Sequence, residues 1–439
     1  MEATAAPPKS GAAGEDATAG SGRFFDQAAP RAPSTVELPA APTLSFRGRV
    51  YPTSAFRPYE PAAEHIVAAI DAAQRTLRIS AYQFESQSVL DALRRAKKRG
   101  VGVEVVLDRG HVYVTGAGRD GAPRKPHPIA VELVKSGFDL LLLKGQGSGI
   151  MHSKFLIVDD ELLEAGSYNY TDQSETDHFE NVFFTLENGR VDLYRRDFQY
   201  MRDQAEEVDM DKLEEILNRT KTEELEAEPE AAGVENADVE ASKSHPDPDG
   251  RTSKFPPPPS DEGAPIEFNG RHFPRAIFSP QGGVEEAVVR AAEAAKETID
   301  IAMFSFFSRR IAEALLAAKD RGVKVRLVLD KSQASSSSLD GWFAWHGFET
   351  RILAGPGDAP GPHQKMHNKF GVFDGKLVET GSFNYSPNAE NNSFENSNWF
   401  DVPETAARFA AFFERMFLRG VKPRKPKHEP KWKPLEDEA

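Results

Sequence analysis

The chain of 439 residues contains no cysteine. Disulfide bonds and zinc sites built on thiolates are therefore excluded, and the redox state of the compartment leaves no trace. No apolar run approaches the roughly 18 residues that a membrane-spanning helix requires, so we expect a soluble protein. The first 40 residues are rich in Ala, Pro, Gly and Ser, and no basic segment followed by an apolar one occurs there. We interpret them as a disordered leader and not as a signal peptide, which leaves the compartment open, the cytoplasm included.

Basic residues are in deficit, with a net charge of −14. Most of this charge lies between Asp203 and Glu262, where 19 Asp and Glu stand against 6 Lys and Arg, so the rest of the chain is nearly neutral. The acidic stretch also contains FPPPPS, and this composition favours a solvated linker. Residues 419–434 are basic and broken by prolines. We interpret them as a solvated tail, with contact to an anionic membrane or another polyanion as the alternative.

The chain contains an internal duplication. Residues 46–58 match residues 268–280, and the match continues without a gap to Asp108 and Asp330 at an offset of 222. The second copy then drops seven residues, after which MHSKFLIVD matches MHNKFGVFD. Length and duplication together predict two domains. The predicted division is a leader at 1–40, a first repeat domain at 41–206, an acidic Pro-rich linker at 207–264, a second repeat domain at 265–418 and a basic Pro-rich tail at 419–439.

The hydrophobic pattern predicts the same α/β sandwich in each half, because amphipathic helices alternate with strands. The fully apolar strands VEVVL and VRLVL are typical of a sheet that is covered on both faces. Gly100 and Gly322 suit the left-handed residue that ends many helices. The predicted helices are 62–75, 87–99, 129–136 and 190–206, repeated at 284–297, 308–321, 337–346 and 404–418. The predicted strands are 77–84, 103–107, 138–143 and 181–187, repeated at 299–306, 325–329, 348–353 and 396–402.

A polar motif occurs in both halves with identical spacing. In the first half it consists of His152, Lys154, Asp159, Gly166, Ser167 and Asn169. In the second half it consists of His367, Lys369, Asp374, Gly381, Ser382 and Asn384. Each copy continues to a Glu-Asn pair 11 residues past the Asn, at Glu180-Asn181 and Glu395-Asn396. Because packing alone rarely demands so many polar identities at fixed spacing, we predict a functional site.

The spacing predicts how these side chains are arranged. On a strand, residues i and i+2 share a face, so His152 and Lys154 should point together. Ser167 and Asn169 should repeat that arrangement on the following strand, with Gly166 permitting the turn between the strands. Two halves packed with pseudo-two-fold symmetry would then bring both sets to one pocket.

This set of side chains suits attack on a phosphodiester. Two Lys and two Asn can bind the non-bridging oxygens and stabilise the charge that develops on them. One neutral imidazole can attack phosphorus, and the other can protonate the leaving alcohol and afterwards activate water. Glu180 and Glu395 are candidates for orienting the imidazoles. Since the protein supplies the cations, we expect neither a metal nor a cofactor.

The HxKx4Dx6GSxN pattern resembles the HKD motif of the phospholipase D superfamily, over roughly 46–206 and 266–418. The GSYNYT…ENVFF stretch is most similar to its branch of compact bacterial nucleases and mitochondrial cardiolipin hydrolases. The resemblance implies two homologous α/β sandwich halves, one shared active site, a phosphohistidine intermediate, and a monomer, since one chain holds both half-sites. It implies a catalytic His, Lys and Asn, a supporting Ser, a Glu that hydrogen-bonds a His, and a structural Asp. These are His152, Lys154, Asn169, Ser167, Glu180 and Asp159, and His367, Lys369, Asn384, Ser382, Glu395 and Asp374. The N-terminal His of two-domain members is commonly the nucleophile, which here implies His152.

The substrate is less determined. We predict a phosphoric diester hydrolase that cleaves or transfers phospholipid head groups, because no stripe of Lys and Arg flanks either motif as nucleic-acid tracking would require. A metal-independent nuclease is the alternative, and a non-catalytic phosphate-binding scaffold is the third hypothesis. The loops 109–128 and 355–364 should rim the pocket. Side chains that could receive a phosphate or acyl chains are Arg119, Arg124 and Lys125, and Trp342, Phe343 and Trp345.

Overall fold

The structure is a computed structural model that describes residues 36–118, 122–219, 254–334, 339–357 and 363–430. Part of every predicted segment therefore falls outside the described residues. These parts are 1–35 of the leader, 119–121 of the first repeat domain, 220–253 of the linker, 335–338 and 358–362 of the second repeat domain, and 431–439 of the tail.

The first half begins with a hairpin and continues with strands that alternate with helices. Its strands are β1 (Thr43–Phe46), β2 (Arg49–Pro52), β3 (Ser54–Arg57), β4 (Thr76–Ala81), β5 (Gly102–Asp108), β6 (Asp139–Leu143), β7 (Phe155–Val158), β8 (Leu162–Gly166), β9 (His178–Thr185) and β10 (Glu206–Glu207). Its helices are α1 (Ala63–Ala72), α2 (Gln87–Lys98), α3 (Arg109–Val112), α4 (Pro128–Lys135), α5 (Asp172–Thr176), α6 (Asn188–Gln204) and α7 (Met210–Asn218).

The second half repeats this order. Its strands are β11 (Ile266–Phe268), β12 (Arg271–Phe273), β13 (Ala276–Ser279), β14 (Thr298–Met303), β15 (Lys324–Asp330), β16 (Glu349–Leu353), β17 (Lys365–Met366), β18 (Lys369–Phe373), β19 (Leu377–Gly381) and β20 (Glu395–Phe400). Its helices are α8 (Val284–Ala294), α9 (Arg309–Asp320), α10 (Asp340–Trp345), α11 (Pro387–Asn391) and α12 (Pro403–Arg419).

Each half is built on one mixed sheet. The first sheet has the order β3-β9-β8-β7-β4-β5-β6-β10, and the second has the matching order β13-β20-β19-β18-β14-β15-β16. In both, three strands run parallel and the strands that flank the motif run antiparallel to their neighbours. The predicted α/β class with two homologous halves is confirmed.

Helices cover both faces of each sheet. In the first half, α1, α2 and α4 pack on one face of the sheet and α6 packs on the other. Gly100 and Gly322 have φ of 87° and 94° and follow the ends of α2 and α9, as predicted. The long helices α6 and α12 also bury residues of the opposite half. The rings of Tyr194 in α6 and Phe278 lie 5.0 Å apart, and Phe412 in α12 stacks on Phe56 at 4.5 Å. The two halves therefore share apolar cores.

One helix lies where the acidic composition predicted linker. Within 207–264, residues 210–218 form α7, and Leu213 and Ile216 are buried in the core of the first half. The apolar residues three positions apart explain this helix. Residues 210–218 are therefore not a solvated part of the linker. Burial of the apolar face of α7 stabilises the fold more than the charge of the flanking residues destabilises it.

Candidate active site

Each motif begins at the N-terminal end of a strand, and its His precedes the strand, which corrects the prediction that the His lies within it. His152 and Lys154 precede β7, while His367 precedes β18 and Lys369 is its first residue. Within each half the Lys side chain nevertheless turns back to its His: Lys154 Nζ donates to His152 O at 2.5 Å, and Lys369 Nζ donates to His367 O at 2.8 Å.

The main chain of each His segment is hydrogen-bonded to the opposite half. His152 N donates to Phe394 O at 2.9 Å, and His367 N donates to Phe179 O at 3.1 Å. The strand β17, which leads to His367, pairs in parallel with β9 of the first half. The two half-sites are therefore assembled by exchanged backbone contacts, which spacing within one half could not reveal.

The same exchange pairs each imidazole with the carboxylate of the other half. His152 Nδ1 lies 2.9 Å and 2.8 Å from the two carboxylate oxygens of Glu395, and His367 Nδ1 lies 2.7 Å from Glu180 Oε1. All four residues are 3 % exposed or less, so water does not screen these contacts. Because the carboxylates contact Nδ1, any chemistry of each imidazole would fall to Nε2. The predicted role of Glu180 and Glu395 in orienting imidazoles thus has a geometric basis.

Each predicted Ser holds the carboxylate in place. The hydroxyl of Ser167 donates to Glu180 Oε2, and that of Ser382 donates to Glu395 Oε2. Each hydroxyl also accepts from the backbone N of the following Asn, Asn181 or Asn396, at 3.0 Å. The Ser thus fixes the orientation of a buried carboxylate that in turn orients an imidazole.

The asparagines of the two motifs contact the segments that follow β4 and β14. Asn169 Nδ2 lies 3.4 Å from Gln83 Oε1, and Asn384 Oδ1 accepts from the backbone N of Ser305 at 3.2 Å. Both Asn are buried. The duplication relates Gln83 to Ser305, so the two amides have the same position but different partners.

Gly166 does not make the turn that was predicted. It is the last residue of β8, and the turn before β8 is made by Asp159 and Asp160, whose φ are 55° and 58°. A Cβ at Gly166 would lie 2.2 Å from the carbonyl oxygen of Asn181. The glycine is therefore required by the close approach of β9, and Gly381 stands in the same relation to Asn396.

The motif aspartates lie at the far end of the same strands and bind backbone. Asp159 Oδ1 accepts from the backbone N of Arg75 at 2.7 Å and of Thr76 at 2.9 Å, and the structurally equivalent Asp374 Oδ1 accepts from Glu297 N at 2.7 Å. Burial tends to raise the pKa of Asp374, but these backbone donors and Asn269 outweigh it and lower that pKa. This geometry anchors a strand and brings neither carboxylate to the imidazoles.

Sequence reasoning missed two pairs of residues next to the imidazoles. Asp108 and Asp330 end β5 and β15, and their carboxylates accept from the backbone N of the residue before each His, at 2.9 Å and 2.7 Å. Burial raises the pKa of Asp108 to about 6 and also raises that of Asp330. Tyr82 and Phe304, each one residue past a strand, have ring centroids 4.9 Å and 4.8 Å from His152 and His367. All four match in the duplication, which was the available signal.

The second missed feature is a polar seam between the halves. Asn181 Nδ2 donates to Asn368 Oδ1 at 2.9 Å, and Asn181 Oδ1 accepts from Thr380 Oγ1 at 2.9 Å. The equivalent Asn396 lies 3.4 Å from the hydroxyl of Ser153. The Asn of each Glu-Asn pair thus locks the halves in the register that the His–Glu pairs need.

One carboxylate of the site also contacts a third imidazole. Glu180 Oε1 lies 3.3 Å from His178 Nδ1. Burial works to raise the pKa of Glu180, but the adjacent imidazoles of His367 and His178, with the hydrogen bonds that both donate to it, outweigh burial and hold that pKa far below its usual range. Donor atoms of His178, Glu180 and His367 lie within 4.8 Å of one another, a spacing that could also hold a metal ion. The hydrogen bonds of Glu180 with His178 and with His367 already account for this spacing.

The structure describes only some of the residues that were predicted to contact the substrate. Arg119, with residues 335–338 and 358–362, lies outside the described residues. Lys125 Nζ donates to Leu217 O at the end of α7, which engages it away from the His–Glu pairs. Phe343 is buried against Phe306 in the second-half core, and Trp345 lies under Lys425 of the tail. Neither aromatic contacts the His–Glu pairs, so the proposed acyl contacts have no support from this helix.

None of the helices in the described parts of the chain is both long and apolar enough to cross a bilayer.

Comparisons with known proteins agree with the geometry. The model of a domain family described as "Cardiolipin synthase, PLD-like domain" matches residues 66–202 and 288–417, more than half of the chain. A protein named mitochondrial cardiolipin hydrolase, from Chlamydomonas reinhardtii, is 30% identical over 123 residues, which are 28% of this chain and 52% of that protein. A protein named phospholipase D, from Rickettsia prowazekii (strain Madrid E), is 33% identical over 119 residues, which are 27% of this chain and 55% of that protein. The chain thus spans about half the length of these curated relatives.

A solved structure covers nearly the whole arrangement. The crystal structure of phosphatidylserine synthase from Haemophilus influenzae Rd KW20 aligns with a TM-score of 0.57 and 14% identity, over 87% of this chain and 90% of that one. At this identity the likeness bears on the fold alone, and it extends over both halves.

Proposed function

Because the chain belongs to the phospholipase D superfamily, with a PLD-like domain in each half, we propose that it is a phosphodiesterase that cleaves phospholipid head groups through a covalent phosphohistidine. The resemblance inferred from the two motifs is thereby confirmed at the level of the family. The names of its relatives support hydrolysis of phosphodiesters as the activity.

The observation that carries the proposal is the exchanged pairing of His152 with Glu395 and of His367 with Glu180. In each pair the carboxylate contacts Nδ1, so the reacting nitrogen would be Nε2, and two imidazoles are what the two steps require. One attacks phosphorus while the other protonates the leaving alcohol and then removes a proton from the water that cleaves the phosphohistidine. If an alcohol replaces that water, the same steps transfer the phosphatidyl group.

The cations of the site come from the protein. Lys154 and Lys369 are buried beside the imidazoles and stand over the rings of Tyr82 and Phe304, each at 5.0 Å. In a site from which water is excluded, two ammonium groups stabilise the charge that develops on the phosphoryl oxygens. We therefore expect catalysis without a metal ion.

Two considerations favour a phospholipid. The curated relatives are named cardiolipin hydrolase and phospholipase D. Outside the acidic stretch 203–262 the chain is nearly neutral, whereas tracking of a nucleic-acid backbone calls for a basic groove. A nuclease is the alternative that the test must separate.

The test uses the full chain with EDTA present. Labelled phospholipid vesicles and labelled single- and double-stranded DNA are offered in parallel to the wild type, His152→Ala and His367→Ala. We expect lipid cleavage that either substitution lowers by at least about a thousandfold, since both imidazoles act in one sequence of steps. His272→Ala, which removes an exposed imidazole on β12, is the matched control and should keep full activity.

Each outcome decides one part of the proposal. Cleavage of DNA without cleavage of lipid would replace the substrate class. Activity that survives both His substitutions would overturn the mechanism, and activity that EDTA abolishes would overturn metal independence. Binding of phosphate without turnover of either substrate would make the chain a scaffold.

A further inference from the structure

His178 breaks the symmetry of the two half-sites. The duplication places Ser393 at the corresponding position, 215 residues later. His178 Nδ1 lies 3.3 Å from Glu180 Oε1, the oxygen that also binds His367 Nδ1. Ser393 instead accepts from the backbone N of Ile150 at 3.2 Å. Glu180 thus contacts two imidazoles.

The contacts of His178 determine its charge. Its Nε2 lies 3.0 Å from the carbonyl oxygen of His363, and its Nδ1 faces the carboxylate of Glu180. A carbonyl oxygen and an ionised carboxylate only accept hydrogen bonds, so both ring nitrogens must carry a proton. These contacts favour the imidazolium form of His178, whose ring centroid lies 5.6 Å from that of His367.

The contacts of His367 indicate the opposite state. Lys369 Nζ lies 3.1 Å from His367 Nε2, and an ammonium group only donates, so this nitrogen accepts. His367 is then neutral, with its proton on Nδ1 toward Glu180 and its lone pair on Nε2. A neutral imidazole with a lone pair on Nε2 is the form that attacks phosphorus.

The charges around His367 favour this neutral form. Glu180 and His178 face it from β9, Lys369 from β18 and Asp330, through the backbone N of Met366, from β15. Phe304, which follows β14, adds an uncharged ring. The two cations offset the charge of Glu180, so a proton on His367 gains little from its carboxylate.

On the side of His152 the carboxylate is shared differently. Within the described residues, Glu395 contacts the His152 imidazole through both oxygens and otherwise binds Ser382. The carboxyl of Asp108 also lies near the His152 segment, through the backbone N of Met151. No second imidazole contacts Glu395 among the described residues, whereas Glu180 contacts those of His367 and His178.

The geometry points to His178 as a positioning residue that keeps His367 neutral, so that His367 is the nucleophile and His152 the proton donor. This inference rests on the proposed phosphodiesterase function and names the roles within it. It reverses the assignment to His152 that the resemblance implied.

The lone pair of His367 Nε2 forms a bond to phosphorus while the bond from phosphorus to the leaving oxygen breaks. That oxygen takes the proton of His152 Nε2. His152 then takes a proton from water, whose oxygen bonds to phosphorus as the N–P bond breaks and its electron pair returns to His367.

The first experiment records the pH profile of kcat/KM for the wild type and His178→Ser, which installs the residue of the other half. Loss of the cation should raise the pKa of His367, because a positive charge about 5.6 Å away that disfavours its protonation is removed. We expect the acid limb to move up by about one pH unit, so that activity below it falls about tenfold. His178→Asn keeps a donor without charge and should behave like His178→Ser, whereas His178→Lys should restore the limb. His272→Ser is the matched control.

An acid limb that stays in place in His178→Ser would overturn the inference. A shift of the alkaline limb in its place would also overturn it, because His367 would then be the proton donor. If His178→Asn kept the wild-type limb, the hydrogen bond and not the charge would be responsible, which contradicts the argument.

The second experiment uses a phosphodiester with a p-nitrophenol leaving group, which needs no proton donor. His152→Ala should release a burst of about one equivalent of p-nitrophenol and retain the adduct, which peptide mass spectrometry should place on His367. His367→Ala should give no burst. A burst in His367→Ala with an adduct on His152 would overturn the inference alone, whereas a wild type that cleaves no phosphodiester would overturn the proposed function.

Discussion

Two buried carboxyl groups at matching positions make the stability of this chain depend on pH. Glu164 in β8 and Glu379 in β19 are 2% and 0% exposed, and each accepts a hydrogen bond from a Tyr hydroxyl at 2.9 Å, from Tyr170 and Tyr385. Burial raises the pKa of Glu164 to about 8 and that of Glu379 to about 7, against the smaller opposing effect of the hydroxyl donors. Both groups are therefore protonated in the folded chain at mildly acidic pH.

The substitution Glu164→Gln is expected to remove part of this dependence. In the unfolded chain the carboxyl ionises near pH 4.5, so between pH 4.5 and about 8 the folded state binds a proton that the unfolded state has released. The free energy of unfolding then falls by about 1.4 kcal/mol for each pH unit. The full stability is present below pH 4.5 and is lost as the pH rises through the folded-state pKa, by roughly 5 kcal/mol. Gln mimics the protonated acid at every pH.

The measurement is urea unfolding followed by tryptophan fluorescence at each pH from 5 to 9. The variant should gain stability over the wild type by a margin that grows toward pH 8. Tyr170→Phe is the matched control: it removes the hydroxyl at 2.9 Å but leaves the titrating carboxyl, so its pH dependence should stay as steep as that of the wild type. Equal slopes for the wild type and Glu164→Gln would refute the reasoning.

Two further substitutions test how the site is held together. Gly381→Ala places a methyl group 2.2 Å from the carbonyl oxygen of Asn396; we expect thermal melts to show a loss of several kcal/mol and kcat to fall, and an unchanged Tm would contradict the close-approach argument. Asn181→Ala removes the contacts at 2.9 Å to Asn368 and to Thr380 across the halves. Urea unfolding should show a loss of roughly 2–3 kcal/mol, and a loss below about 0.5 kcal/mol would show that the polar seam adds little.

Much of the fold could be predicted because hydrophobic periodicity and the duplication supported each other. The strand predicted at 103–107 is found at Gly102–Asp108, and the helix predicted at 87–99 is found at Gln87–Lys98. Ends were less certain: the helix predicted at 62–75 ends at Ala72, because the chain turns to an extended conformation at Ala73. The helix at 210–218 was hidden, since a few apolar residues among many charges give a weak pattern.

The sequence could name candidate residues for the site, but not the residues with which they pair. His152 and Glu395 are 243 residues apart, and their contact depends on how the halves dock. Spacing within one half pairs a His with its own Glu just as readily, and nothing local excludes that arrangement. The prediction that Gly166 makes a turn was wrong for the same reason, because the neighbouring strand β9, whose close approach requires a glycine, is not adjacent in sequence.

The exchange of partners explains why a duplicated site need not stay symmetric. Since each carboxylate serves the imidazole of the other half, a change near one carboxylate alters the opposite half-site. His178, on the strand of Glu180, acts in this way on His367, while Ser393 leaves the Glu395–His152 pair without a second imidazole. A phosphodiester has two different oxygen substituents, one retained and one expelled. A single chain that carries both half-sites can assign one fixed role to each imidazole, and so one fixed orientation to the substrate, through a single residue that differs between its halves.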